Sequence, residues 1–416
     1  MTFKSFLTDA VPKGKKFSFA SLFSGAGIGD YGLIMSGATC VAACEIDSHR
    51  QLVHQQNIGG KLFGDLLVDS AAIVSLLKDK DLDLLVATPP CQSFSTANAA
   101  RGMRHDHVHA SKDARNHLFF HALSVAAKIK PRFIVFENVP NFHQKKVAHP
   151  TKGNVVGRVV DFMDSALSSY VAWHGTPCFS ELGIPQRRKR ALSIYVRKDV
   201  ALNLMLSPEE LAPDSWPGAP TRAPRNICRA LKQGLASARS RKKDADLLHT
   251  WPDYSSTHKA WISAIPKNSG LSAWTNSCET CGDADTPWGE LRCVACGSTI
   301  LSRPHVAEGD GKIRPIKGFK TSYRRMSPDE ISPTITTASG QFSSDLKLHP
   351  SEDRVLSPRE CAILQTIPYS FNWPAIPRQK RAYLFREMVG EAVPCLVTYR
   401  LGLAVGEWVR RSRALT

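Results

Sequence analysis

The sequence predicts a doubly wound α/β protein whose mostly parallel sheet is accompanied by a smaller, irregular domain. Three observations carry this. Over the first two hundred residues, short apolar runs alternate with stretches of helical periodicity. The runs are short, mostly apolar and bounded by Pro or charge, as strands buried on both faces are. From about Lys198 to Lys320 the chain turns weakly periodic and rich in Pro, Trp, Ser and Gly, and helical patterning returns after Ser327. The expected division is a first domain over 1–199, an irregular one over 200–326, and a return to the first over 327–416.

The expected strands are Phe17–Phe23, Thr39–Ile46, Leu82–Ala87, Phe133–Phe136 and Ala191–Val196, with the helical candidates Asp30–Gly37, Ser48–Asn57, Ser70–Lys78, Arg115–Lys128 and Arg158–Tyr170 between them. The C-terminal part offers Ser357–Gln365, Gln379–Val389 and Glu391–Leu403. In such sheets ligands sit beyond the carboxyl ends of the strands. Most of the motifs below follow one of those ends.

The 416 residues carry 54 Lys+Arg against 37 Asp+Glu, a net charge of +17. No run of eighteen apolar residues suggests a membrane span, and Met1–Lys16 lacks the apolar centre of a secretory signal. A soluble, cytoplasmic protein with a polyanionic partner is expected, nucleic acid first, because neutralising phosphates releases counterions. The charge is densest over 101–152, with ten Lys/Arg against three acids and seven of the fourteen histidines. A loop there would close over phosphates. His105-x-His-x-His109 fits such a loop better than a second metal site, since no carboxylates accompany it.

Phe23-Ser-Gly-Ala-Gly-Ile-Gly29 follows the first strand and opens a helix, which is a tight turn at the least and, with small residues at Gly25 and Gly27, room for a cofactor. Glu45, about twenty residues on and at the end of the second strand, stands where dinucleotide-type folds hold a ribose diol. Thr88-Pro-Pro-Cys-Gln92 stiffens the end of the next strand and presents Cys91 at its tip, the placement of a nucleophile. Glu137, ending the following strand, should emerge beside it. Thiol and carboxyl above a nucleoside site suggest covalent attack with proton donation. In Gln186-Arg-Arg-Lys-Arg190, the residues Gln186, Arg188 and Arg190 share one face; a solvated basic run is the plainer reading.

Cys278-Glu-Thr-Cys281 and Cys293-Val-Ala-Cys296 are two C-x-x-C pairs eleven residues apart, each followed by glycine. Two tight turns would bring four thiolates to one tetrahedral Zn²⁺ with no open position, hence a structural site. Redox disulfides are the alternative, disfavoured without a secretory signal.

Taken in order, Phe23-x-Gly-x-Gly, Pro89-Pro-Cys-Gln92, Glu137-Asn-Val139, Gln186-x-Arg-x-Arg190 and Gly390-Glu-Ala-Val393 resemble the DNA (cytosine-5)-methyltransferase family, and the motifs cover the chain outside about 200–320. The resemblance implies a methyltransferase sheet dependent on S-adenosylmethionine. Cys91 would attack C6 of a cytosine flipped from double-stranded DNA, Glu137 would hold N3 and the exocyclic amine, and Arg188 and Arg190 would position the base and the catalytic loop. For the cofactor, Phe23 would stack on the adenine, Glu45 bind the ribose, Asp65 meet the adenine amine, and Ile46, Pro90 and Leu118 line the rest. The segment before the last motifs would read the DNA sequence. A restriction–modification enzyme of bacterial or phage type is implied, monomeric, with a cognate restriction endonuclease as functional partner. Two departures stand out: Ser21-Leu where the family usually has Asp-Leu, and Glu391 where Asn is common. An RNA cytosine methyltransferase and a catalytically silent DNA-binding regulator are the alternatives; the first is disfavoured by the zinc-bearing insert, the second by retention of Cys91 and Glu137.

Overall fold

A computed structural model describes residues 6–7, 16–90, 118–149, 155–218, 225–239, 248–309, 311–318, 321–344, 348–374 and 378–415. Seven strands form the central sheet: β1 (Phe17–Leu22), β2 (Ala38–Cys44), β3 (Lys61–Phe63), β4 (Leu84–Ala87), β5 (Phe133–Asn138), and, after a small hairpin of β6 (Lys146–Ala148) and β7 (Val156–Arg158), β8 (Tyr170–Gly175) and, beyond the two-residue β9 (Gln186–Arg187), β10 (Ala191–Arg197). Their order is β3-β2-β1-β4-β5-β10-β8. The first five run parallel, and β10 lies antiparallel to both β5 and β8. The chain winds outward from β1 through β2 and β3, then restarts on the other side of β1 with β4. The crevice at that reversal, beyond Leu22 and Ala87, is where an open α/β sheet binds its ligand.

Both faces of the sheet are covered, which is why β1, β4, β5 and β10 are buried along most of their length. Phe17, Phe19, Leu84, Val135 and Ile194 point to one face, under α1 (Ile28–Met35) and the last helix; Ala20, Leu85, Ile134 and Phe136 point to the other, under α3 (Leu66–Leu77), α4 (Leu118–Ile129) and α5 (Val159–Ala166). Between β2 and β3 runs α2 (Ser48–Asn57), capped by Asp47, whose side chain accepts from Arg50 N at 2.9 Å. After β10 come α6 (Lys198–Leu204), α7 (Ile227–Arg239), α8 (Ser256–Ser263), α9 (Pro358–Leu364), α10 (Arg378–Glu391) and α11 (Cys395–Leu415). Ser357 and Glu360 close a capping box on α9.

The C-terminal helix α11 packs along α1. A Cβ on Gly32 would lie 2.2 Å from Cys395 O, so only glycine allows that approach. At the far end, Arg413 donates to both oxygens of Asp83, at 3.1 and 2.9 Å. Asp83 is fully buried and also accepts from Ser18 N at 2.8 Å and Ser18 Oγ at 3.1 Å. The stretch Tyr383–Leu415 is long and apolar enough to cross a membrane, but most of it is buried inside the molecule, as a core helix is.

The buried residues that follow the sheet fall into more than one core. Ala201, Leu204, Leu206, Leu211 and Trp216 belong to the core of the sheet, and Ile227, Ala230 and Leu231 pack with Cys361–Leu364. A second core gathers Tyr254, Trp261, Ile262, Ile265, Trp274, Tyr323, Leu348 and Val355. It is organised by Arg325, fully buried, which donates to the carbonyls of His349, Glu352, Ile262 and Ile265 and to Asp353. The expected helix Glu391–Leu403 begins instead at Cys395, after Pro394, and runs on to Leu415.

Candidate active site

Three strand ends are laced together at the crevice. Thr88, just beyond β4, donates from its N to Leu22 O at 3.2 Å and from Oγ1 to Phe23 O at 2.8 Å. Asn138, the last residue of β5, donates from Nδ2 to Pro89 O at 2.9 Å. The Pro89–Pro90 segment is thereby fixed between the first turn and the strand end that carries Glu137. Cys91, which follows Pro90, lies outside the described residues, as does 101–117 of the basic stretch.

The Phe23–Gly27 turn uses left-handed backbone at Phe23 (φ 59°), Gly25 (φ 55°) and Gly27 (φ 75°). Holding phenylalanine there costs on the order of 1–3 kcal/mol, a strain met at ligand-binding turns. Glu45 braces the turn: Oε2 accepts from Gly25 N and Oε1 from Asp47 N, both at 2.9 Å. Burial raises the Glu45 carboxyl above its ordinary value, opposed by those two N–H groups and by Arg50. Next to it Ile46 is 71% exposed, a bare apolar surface at the mouth of the crevice. Asp65 caps α3, accepting from Leu67 N at 2.9 Å. Pro90 and Leu118 are half-buried.

On the other side, Glu137 is buried, with Arg190 Nε 3.1 Å from Oε1. Burial pushes its carboxyl up, and Arg190 and Arg188 work against that. The two arginines differ in kind. Arg190 meets the carboxylate directly. Arg188 is buried and donates to the carbonyls of Ile335, Gly390, Glu391 and Ala392, tying the end of α10 to the Gln186–Arg190 segment. Gln186 joins the same clasp: Nε2 donates to Gln365 Oε1 at 3.0 Å, while Gln365 Nε2 donates to Val389 O at 2.6 Å.

The four cysteines of the small lobe converge. Their sulfurs all lie within 4.8 Å of one another, with Cys278–Cys296 and Cys281–Cys293 each at 3.6 Å. A disulfide needs about 2.05 Å, whereas a tetrahedron with sulfurs about 2.3 Å from its centre has edges of about 3.8 Å. The two pairs are built alike. Gly282 N donates to Cys278 O and Gly297 N to Cys293 O, both at 2.9 Å, and both glycines have positive φ. Arg303, fully buried, donates to the carbonyls of Asn276, Thr286, Pro287 and Glu290 and fastens the cluster to the lobe.

The family model for C-5 cytosine-specific DNA methylase matches residues 17–407. The chain belongs to that family. The methylase is 27% identical over 390 residues to the type II methyltransferase M1.HgaI of Avibacterium volantium, covering 91% of this chain and 94% of that one. It is 26% identical over 414 residues to M.XorII of Xanthomonas oryzae pv. oryzae, covering 94% and 84%. Among solved structures, the S. pombe Dnmt2 methyltransferase matches with a TM-score of 0.52 at 15% identity, over 94% of this chain and 98% of that one. The Entamoeba histolytica methyltransferase EhMeth matches with 0.54 at 13%, over 94% and 98%. These two share the fold.

The methylase is a DNA (cytosine-5-)-methyltransferase that uses S-adenosylmethionine. Its crevice fits that cofactor: a Glu45 carboxyl oriented by backbone, an exposed apolar Ile46, and Ser24 Oγ, buried without a hydrogen-bond partner. Two functional pairings escape sequence reasoning. Arg50 donates to Glu391 from Nε at 2.6 Å and Nη2 at 2.9 Å, across 341 positions, with no local signal. The Thr88 and Asn138 bonds were legible only as Thr and Asn flanking the motifs.

Proposed function

We propose that the methylase acts on a cytosine flipped from double-stranded DNA through a covalent Cys91–C6 adduct. The observation that carries this is the placement of Glu137 beside the fixed Pro89–Pro90 segment, at the strand ends that also carry the Glu45 cradle. C6 is inaccessible within stacked DNA, so the base must leave the helix. The Cys91 thiolate adds to C6, and the displaced electron pair makes C5 nucleophilic. Glu137 in its protonated form donates to N3 and accepts from the exocyclic amine, and its buried setting favours that form. Arg190 orients Glu137, and Arg188 holds the 390–392 backbone that closes the crevice. S-adenosylmethionine, held by Phe23, Gly25, Gly27, Glu45, Ile46, Asp65, Pro90 and Leu118, supplies an electrophilic methyl group when bound. Loss of the C5 proton to solvent with β-elimination expels the Cys91 thiolate, and the proton at N3 returns to Glu137.

The lobe over about 254–355 reads the target site, with Cys278, Cys281, Cys293 and Cys296 holding one structural Zn²⁺. Likeness to type II methyltransferases supports a modification role paired with a restriction endonuclease. The test is a duplex carrying 5-fluorocytosine at the target. The fluorine cannot leave, so a denaturant-stable adduct accumulates, and Cys91→Ser abolishes both adduct and turnover. Turnover unchanged in Cys91→Ser refutes the mechanism.

A further inference from the structure

The residue at which the last motif departs from the family is not idle. Glu391 reaches over the first turn, its Oε1 3.5 Å from where a Cβ on Gly25 would stand. Its backbone is fixed from below, Arg188 donating to the carbonyls of Gly390, Glu391 and Ala392. Its side chain is fixed from the side by the two-pronged bond from Arg50. Arg50 has little left to offer a ligand, since Nη1 lies 3.2 Å from Asp47 Oδ2 and Nη2 3.9 Å from Glu387 Oε2. Among the described residues, Glu45 and Glu391 flank Gly25, and Arg50 stands between Glu391, Asp47 and Glu387. This is a negative mouth on a protein of net charge +17.

Such a field acts on whatever charge the ligand carries. The methyl donor bears a sulfonium and an ammonium against one carboxylate, a net positive charge. S-adenosylhomocysteine, left after transfer, has lost the sulfonium charge and is neutral overall. We propose that Glu391, held by Arg50, makes the cleft select the cationic methyl donor over its neutral product. This rests on reading the crevice as the cofactor site. The departure from asparagine is then a specificity device: it strengthens the hold on the donor relative to the product without touching the reacting cytosine.

The experiment measures binding of S-adenosylmethionine, S-adenosylhomocysteine and sinefungin, which carries an amine in place of the sulfonium, by calorimetry. The proteins are the full chain, Glu391→Gln, Arg50→Met and the double variant. Glu391→Gln is expected to lower the preference for both cationic ligands over the neutral one about fivefold, the order of one unit charge across a partly solvated cleft. Arg50→Met is expected to raise it by a similar factor, and the double variant, which restores the net charge but lacks the pair, to return near the wild-type ratio. A ratio unchanged in both single variants overturns the proposal, as does a double variant that behaves like Glu391→Gln, which would mark the pair as a purely structural latch. Melting temperatures confirm that the variants are folded; wild-type protein that binds none of the three ligands would overturn the cleft assignment itself.

Discussion

Replacing Glu137 by glutamine separates shape from proton. The amide keeps the volume of the carboxyl, can donate to cytosine N3 and accept from the exocyclic amine, and can still face Arg190 Nε, 3.1 Å away in the wild type. What it cannot do is exchange a proton with the base. Losing one positioned acid costs about 10²–10⁴ in rate, or about 3–5 kcal/mol of barrier. The folded state tells the same story through pH. Burial raises the Glu137 carboxyl, so between its unfolded value and its raised folded value the native protein binds more protons than the unfolded chain. Stability therefore falls as pH rises through that window. The variant lacks this liability, so its melting temperature relative to wild type should improve from pH 5 to pH 8. Single-turnover methylation with a tritiated methyl donor should show kcat down at least a hundredfold with duplex affinity within a few fold. The wild-type rate should decline at high pH as Glu137 loses its proton, and the variant should lack that limb. A variant turning over within threefold of wild type, with the descending limb intact, would refute the assignment.

Metal analysis of purified protein should find about one zinc per chain. Stripping it, or Cys281→Ser with Cys296→Ser, should abolish site-specific duplex binding while S-adenosylmethionine binding survives, because the cysteines and the crevice belong to separate cores. Asp83→Ala removes a buried carboxylate bonded to Ser18 and Arg413, and should cost about 3–5 kcal/mol in chemical denaturation; a loss under 1 kcal/mol would show that those bonds are not what anchors α11.

The α/β architecture was legible because β1, β2, β4, β5 and β10 are short, mostly apolar runs, and Ser48–Asn57 was delimited by its Asp47 cap and the glycines that follow. The three-residue β3 is too short to leave a pattern. β8 reads Tyr-Val-Ala-Trp-His-Gly and is only half-buried along most of its length, so the preceding helix was drawn through its start. Residues 201–216 read as the start of the irregular domain because Leu204, Leu206, Leu211 and Trp216 are spaced by prolines and acids, although each is buried in the main core. Arg188, Arg303 and Arg325 illustrate the deeper limit. Sequence shows them as cations, whereas each is spent inside the fold on carbonyl oxygens that no local pattern reveals.

The path of α11 has a consequence for synthesis. The carbonyls that Arg188 grips lie at 390–392, Glu391 completes the rim around Gly25, and Arg413 locks onto a strand laid down 330 residues earlier. A ribosome that has made Cys91, Glu137 and the glycine turn has still not made a finished crevice. Contacts of such separation form late, so the finished crevice exists only when almost the whole chain has emerged, and a prematurely terminated product carries the earlier motifs without it.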